Sequence, residues 1–344
     1  MARPAAVGVV DLDVAFPRSR VTVAQMHQAS GRPVADILDW THCTEIPVFG
    51  AQEEAWELVG DVARKVLDRA GVAPGEVGQV IVGGSGEWDY PAWSPAAKVA
   101  AGLGVTEAHC FELVNFCTAS SAALQVAADA VTLGRVRYAL VLFGERASRG
   151  VDYGDPESVS LFNTGDAAAA VLVGAGDGVL FDLLRTRTRT DPTWCDFYVG
   201  EYADDRVVTR RRGRQLNVAK VYLDSYQALV AETLDALDMT IDDVSYLLIN
   251  QMDRRMHERL LRNLGIPFER SVFNYDRFGH MGCCDPFIAL ADLHAHGRLR
   301  AGDRVLLATS GTGFSWSITA LRYRPESRYR PESRYRPDEP TESP

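Results

Sequence analysis

A chain of 344 residues, 47% hydrophobic and 24% charged, has the composition of an ordinary globular protein and the length for one large domain or two mid-sized ones. A formal charge of −10 argues against nucleic acid, which needs a concentrated basic footprint, and no apolar run reaches the roughly 18–20 residues that span a bilayer. The N-terminus lacks the ordered regions of a signal peptide. The six cysteines (Cys43, Cys110, Cys117, Cys195, Cys283, Cys284) have no disulfide-framework spacing, so a reduced, cytoplasmic protein is expected.

In chain order, "AVGVVDLDVAFP" predicts a first strand and residues 51–71 an amphipathic helix. Short apolar runs at 79–84, 138–145, 167–174, 245–251 and 304–311 predict strands buried on both faces. The small-residue segment 120–134 predicts another helix. Strands alternating with helices make this an α/β protein with mainly parallel sheets. The basic run Arg210-Arg211-Arg212-Gly213-Arg214 reads as a solvated loop sooner than as a contact for a phosphate or an acidic carrier protein. After "SWSITALRY" the hexapeptide repeat "RYRPES" has no core-forming pattern, so residues 324–344 are expected to form a disordered tail.

The chain also repeats itself. "LDRAGVAPGEVGQVIVG" (67–83) aligns without gaps on "LDALDMTIDDVSYLLIN" (234–250), an offset of 167, and Gly134 matches Gly297 at an offset of 163. Two similar halves follow, 1–174 and 175–323, packed about a pseudo-twofold axis.

Within "ELVNFCTASSAALQVAADAV", Cys117 stands between a strand-like run and a small-residue helix. A thiol at a helix N-terminus meets unpaired N–H groups and the positive end of the dipole, a setting that favours the thiolate. A buried structural cysteine is the competing reading. Adding the 163-residue offset to position 117 gives His280, so the repeat is expected to deliver a thiol and an imidazole to one pocket, the minimum pair for covalent acyl chemistry. A zinc site on His280, Cys283 and Cys284 is disfavoured, because vicinal cysteines give two tetrahedral ligands with difficulty. Cys283 and Cys284 read as small residues filling a helix start that Pro286 helps begin.

"ILDWTHCTEI", "NFCTASSAAL", "SLFNTGDAAAAVLVG" and "TSGTGFSWSITALRY" occur in the order of one known family. Over residues 1–323 the chain resembles the thiolase-fold condensing enzymes, most closely the ketoacyl-ACP synthase III family. The resemblance implies an α/β thiolase-like fold, two similar halves in αβαβα layers, and a homodimer. It implies that Cys117 carries an acyl-enzyme formed from an acyl-CoA or a phosphopantetheinyl acyl carrier protein, with no further cofactor. The N–H groups of Cys117 and Gly313 would form the oxyanion hole. Tyr90 falls where an aromatic residue of the partner subunit closes the acyl pocket; plain aromatic packing is the alternative. Trp40 matches a tryptophan that stacks on the adenine of coenzyme A, but no arginine adjoins it in sequence to sandwich the base. Arg254 and Arg255 would face the phosphopantetheine entrance, unless they are solvated helix-surface charges.

The chain departs from the family in two places. Where the family has a histidine in His-Gln-Ala-Asn, this chain has Asn250-Gln251-Met252-Asp253; where it has asparagine in Gly-Asn-Thr, this chain has Gly279-His280-Met281. Asn250 and His280 as two donors would still serve a decarboxylative condensation. His280 as a base would serve acyl transfer to oxygen, nitrogen or sulfur. Both readings point to polyketide or other specialised biosynthesis. A thioester hydrolase and a non-catalytic ketosynthase partner remain as alternatives, the second opposed by the retention of Cys117.

Overall fold

The computed structural model describes residues 6–325, apart from 205 and 214–216. The first half comprises β1 (Val7–Ala15), β2 (Arg20–Thr22), α1 (Val23–Ser30), α2 (Val34–Thr41), β3 (Glu45–Pro47), α3 (Ala55–Ala70), β4 (Val77–Gly84), α4 (Pro95–Leu103), β5 (His109–Val114), α5 (Ala119–Thr132), β6 (Tyr138–Phe143) and β7 (Ala168–Ala175). The second comprises β8 (Phe181–Thr190), β9 (Tyr198–Ala203), β10 (Arg206–Arg211), α6 (Val218–Asp235), β11 (Tyr246–Ile249), α7 (Arg254–Leu264), α8 (Asp285–Ala295), β12 (Arg304–Gly311) and β13 (Ser315–Tyr323). Of the tail expected from residue 324, Arg324 is still held, its N–H donating to the Leu180 carbonyl at 2.8 Å and its guanidinium lying 3.1 Å from Asp182; residues 326–344, with the later "RYRPES" repeats, lie outside the described residues, as does Arg214 of the basic run. Arg210 pairs with Asp152 and Asp155, and Arg212 with Glu201, so this run is largely neutralised by local carboxylates.

Nine strands form one array in the order β11-β12-β13-β8-β1-β7-β6-β4-β5. From its middle outward the two sides follow one pattern. β1, β7 and β6 pair antiparallel and β6, β4 and β5 parallel; β8, β13 and β12 pair antiparallel and β12 and β11 parallel. The sheet is therefore mixed and not mainly parallel as the strand–helix alternation predicted, because β6 leads to β7 and β12 to β13 without an α-helical crossover. Among the described residues the strands of the two sides pair at Gly8↔Asp182 and Val9↔Phe181, where a Cβ on Gly8 would collide with the Phe181 carbonyl oxygen.

Period-2 alternation explains why these strands are apolar throughout. Val80, Val82, Leu140 and Leu142 pack outward with α3 and α4, whereas Ile81 and Val141 face inward among residues of α5 and α8. Across the middle layer Val305 and Leu307 face those two helices, while Leu306 and Ala308 pack with α6 and α7. The result is five layers, αβαβα. The middle helix α5 is rich in alanine because it lies between sheets; Ala119, Ala123 and Ala127 are fully buried.

The repeat is visible in local structure. The 3₁₀ turns Pro74–Glu76 and Ile241–Asp243 precede β4 and β11 at the expected offset of 167. The offset of 163 does not hold at the helix starts. The turns Phe116–Thr118 and Gly282–Cys284, which lead into α5 and α8, stand 166 apart, because α8 has 11 residues and α5 has 14. Cys283, not His280, therefore occupies the position equivalent to Cys117.

The start of α3 is held by a buried ion pair. Glu54, at the N-cap of α3, makes no side-chain cap; the carboxylate of Asp89 accepts from the N–H groups of Ala55 and Trp56 instead, at 2.9 and 3.0 Å. Arg146 Nε lies 2.7 Å from Asp89 Oδ1, and the guanidinium also donates to the carbonyls of Glu53 and Gly50. Removing one partner of a buried pair strands the other charge. Arg146→Ala is expected to lower unfolding stability by about 3–5 kcal/mol, read as a shift of the urea midpoint with unchanged slope.

Candidate active site

β5 delivers the chain to Asn115 and Phe116, and Phe116 takes a left-handed φ of 50°, a conformation rarely held by an aromatic residue. This sharp turn presents Cys117 at the head of α5. The β12–β13 connection, which carries Gly313, closes over it. A Cβ on Gly311 would lie 2.9 Å from Thr118 Oγ1 and 3.0 Å from Thr118 N and Asn115 O, so only glycine lets the strand end approach. Thr118 Oγ1 donates to the Ser315 carbonyl at 3.3 Å on the other side of the same turn. Gly313 thus sits in a turn fastened to the nucleophile segment at both ends.

His280 arrives from the second half, just before α8. Its N–H donates to the Asn163 carbonyl at 2.8 Å and its carbonyl accepts from Gly165 N at 2.9 Å, fixing the backbone. The ring spans the interface: Nε2 lies 3.4 Å from Cys117 Sγ and Nδ1 lies 2.5 Å from Asp285 Oδ2. Asp285, the first residue of α8, is buried and also accepts from Met281 N at 2.8 Å and Gln251 N at 2.6 Å. Thiol, imidazole and carboxylate stand in line, each within reach of the next. Burial acts to lower the pKa of His280. The charges of Asp285 and Cys117 and hydrogen bonds from both more than offset it, leaving His280 well above its ordinary value.

The fold brings together Cys117 and His280, as the sequence led one to expect, and adds Asp285, which the sequence did not single out. The signal was present in the spacing His280…Asp285, but an acidic residue immediately before a proline at a helix start already has an ordinary explanation, the helix dipole.

Asn250, at the end of β11, is buried. Its Nδ2 donates to the Gly282 carbonyl at 3.1 Å and its Oδ1 accepts from Ser310 N at 2.8 Å. Cys283 and Cys284 are buried free thiols that donate to the carbonyls of Phe116 and Ala167, and burial pushes both pKa values up. Among the described residues no group of three His, Cys, Asp or Glu side chains could hold a metal ion.

The remaining candidates lie at the surface. Trp40, on α2, is 43% exposed. Arg255 reaches the residue before it: its Nη2 lies 3.1 and 2.9 Å from the two carboxylate oxygens of Asp39. Arg254 donates to Glu258 one turn along α7, at 3.1 Å. Tyr90 is half exposed, donating to Glu54 Oε1 at 3.1 Å and set edge-on against Trp93.

The architecture is that of the thiolase-fold enzymes. A 3-oxoacyl-ACP synthase III from Aquifex aeolicus superposes with a TM-score of 0.82 at 24% identity, covering 92% of this chain and all of that one. OleA of Xanthomonas campestris, in a structure with bound lauric acid and lauroyl-CoA, superposes with a TM-score of 0.82 at 20% identity, covering 93% and 100%. Sequence resolves the family within that fold. Residues 111–192 match the family model for 3-oxoacyl-ACP synthase III and residues 234–323 the model for its C-terminal part. A beta-ketoacyl-ACP synthase III of Rhizorhabdus wittichii is 28% identical over 318 residues, 92% of this chain and 98% of the relative. One from Rhodospirillum centenum is 30% identical over 275 residues, 79% and 84%. The chain belongs to the beta-ketoacyl-ACP synthase III family, and is a transferase of its acyl-condensing and acyl-transferring class.

Proposed function

We propose that this enzyme moves an acyl group from a coenzyme A or carrier-protein thioester, through Cys117, to an oxygen, nitrogen or sulfur nucleophile, in polyketide or other specialised biosynthesis. The observation that carries this reading is the line Cys117–His280–Asp285. A base oriented by a carboxylate and aimed at a nucleophile is the arrangement of acyl transfer to heteroatoms. The thiolate attacks the thioester carbonyl, and the N–H groups of Cys117 and Gly313 receive the oxyanion. His280 gives its proton to the departing thiol. Having given up that proton, His280 is the neutral imidazole and stands ready as base when the acceptor enters. It takes the acceptor's proton, the acceptor attacks the thioester, and Cys117 leaves as thiolate beside a protonated His280.

Condensation is the rival. It needs two donors to the carbonyl of the malonyl thioester, and Asn250 already spends its oxygen and one N–H on backbone groups. The other features of the proposal have separate support. The half-exposed edge strand β5 suits a homodimer in which Tyr90 serves the partner's acyl pocket. Trp40 with Arg254 and Arg255 suits the thioester's nucleotide and pantetheine arm. The repeated strand order suits halves at 1–174 and 175–323. Free cysteines suit a cytoplasmic enzyme whose acyl thioester is substrate, without other cofactor.

The acyl-enzyme should be offered malonyl thioesters and, separately, alcohol, amine and thiol acceptors. The proposal predicts ester, amide or thioester products with no carbon dioxide released from an added malonyl donor. A ketoacyl product with stoichiometric carbon dioxide would overturn it in favour of condensation.

A further inference from the structure

We propose that Asn250 is a positioning residue that sets the contact between Cys117 and His280 without touching the substrate. This rests on the acyl-transfer reading of the same site. The carboxamide bridges two segments that belong to opposite walls. On one side Nδ2 holds the carbonyl of Gly282, in the turn between His280 and α8. The neighbours of Gly282 are themselves engaged: Met281 N donates to Asp285 Oδ1, and Cys283 Sγ donates to the Phe116 carbonyl at 3.0 Å, one residue before the nucleophile. On the other side Oδ1 receives the N–H of Ser310, whose hydroxyl meets that of Tyr222 and whose successor, Gly311, abuts Asn115 and Thr118. The amide therefore ties the turn that carries the base to the strand end that backs the nucleophile. Residue 251 continues the same fastening. Its N–H reaches Asp285, while its side chain donates to the carbonyls of Ile249 and Val272 and accepts from Asn274 N.

An amide suits this task because it donates and accepts at once from one short, planar group. Aspartate keeps the acceptor for Ser310 but turns an unpaired oxygen on the Gly282 carbonyl. Alanine loses both bonds, leaving a buried N–H and a buried carbonyl without partners. In either case the turn that carries His280 is released from the wall behind Cys117, and the 3.4 Å contact is no longer enforced.

The test follows Cys117 alkylation by iodoacetamide across pH in wild type, Asn250→Asp and Asn250→Ala, with thioester loading by intact mass alongside. Alkylation at low pH reads transfer of the thiol proton to His280 and needs no acceptor or malonyl donor, so it stands whatever product the enzyme makes. The expected result is a loss of about tenfold in alkylation and loading at pH 6 in both variants, the equivalent of one or two buried hydrogen bonds, with rates at pH 9 within about twofold of wild type. Asn250→Asp is the milder change, and its melting temperature shows whether the fold is kept; an unfolded variant would alkylate as an ordinary thiol, slowly at pH 6 and fast at pH 9, and would lose thioester loading at every pH. An unchanged alkylation profile overturns the proposal. If turnover nevertheless falls, Asn250 acts on the substrate; if it does not, the amide is passive.

Discussion

Cys117→Ala is expected to abolish covalent loading altogether. Wild-type enzyme incubated with a panel of acyl-CoA and acyl-carrier-protein thioesters should gain the mass of one acyl group per chain, and the variant none. Turnover should fall by about 10⁴–10⁶-fold, since loss of the nucleophile leaves only binding and oxyanion stabilisation. His280→Ala should approach the same loss, because the thiol then has no partner for its proton and the leaving thiol no donor. Asn250→Ala should cost far less than His280→Ala, because its amide meets backbone and not the sulfur. An acyl adduct that persists in Cys117→Ala would mean that another residue carries the group, and the proposed chemistry would fall with it. The reverse order for His280 and Asn250 would move the base to position 250.

Much of this site could be read from the chain before folding, and the parts that could not share a physical cause. Apolar runs such as 79–84 and 138–145 announced doubly buried strands, and the gapless match of 67–83 to 234–250 announced a repeated unit whose 3₁₀ turns fall 167 residues apart. The pairing of Cys117 with His280 was reached through an offset of 163 that the helix starts do not obey. The contact forms nonetheless, because the three residues that α8 lacks relative to α5 lie downstream of both turns. His280 stands three residues ahead of the true equivalent, Cys283, on the way into the same pocket. Asp285 stayed hidden because its side chain serves two purposes, at the start of a helix and against an imidazole, and sequence displays only the first. The pairing of Arg255 with Asp39 stayed hidden because 216 positions separate them and only the fold brings α7 to α2. Periodicity reports what a residue's own element does; contacts between elements must be seen.

Asp285→Asn is the sharper test of how the site works, because it leaves the shape of the residue nearly intact. The aspartate sets the ring of His280 through Nδ1 and supplies the charge that holds its proton. An amide at 285 cannot stabilise the imidazolium, and it can present an N–H where the ring also carries one, favouring the wrong tautomer. Acyl transfer is expected to drop by about 10³–10⁴-fold, with loading still dependent on Cys117. The pH profile separates this from a merely structural loss. In the wild type the folded-state pKa of His280 lies above its unfolded value, so the Asp285 contact stabilises the fold fully below about pH 6.5 and is lost as pH rises through the folded pKa. The difference in melting temperature between wild type and Asp285→Asn should therefore be larger at pH 6 than at strongly alkaline pH. Alkylation of Cys117 should lose its low-pH activity in the same variant. If Asp285 serves only as an N-terminal helix charge, the substitution would lower the melting temperature slightly and leave both the alkylation profile and the transfer rate near wild type.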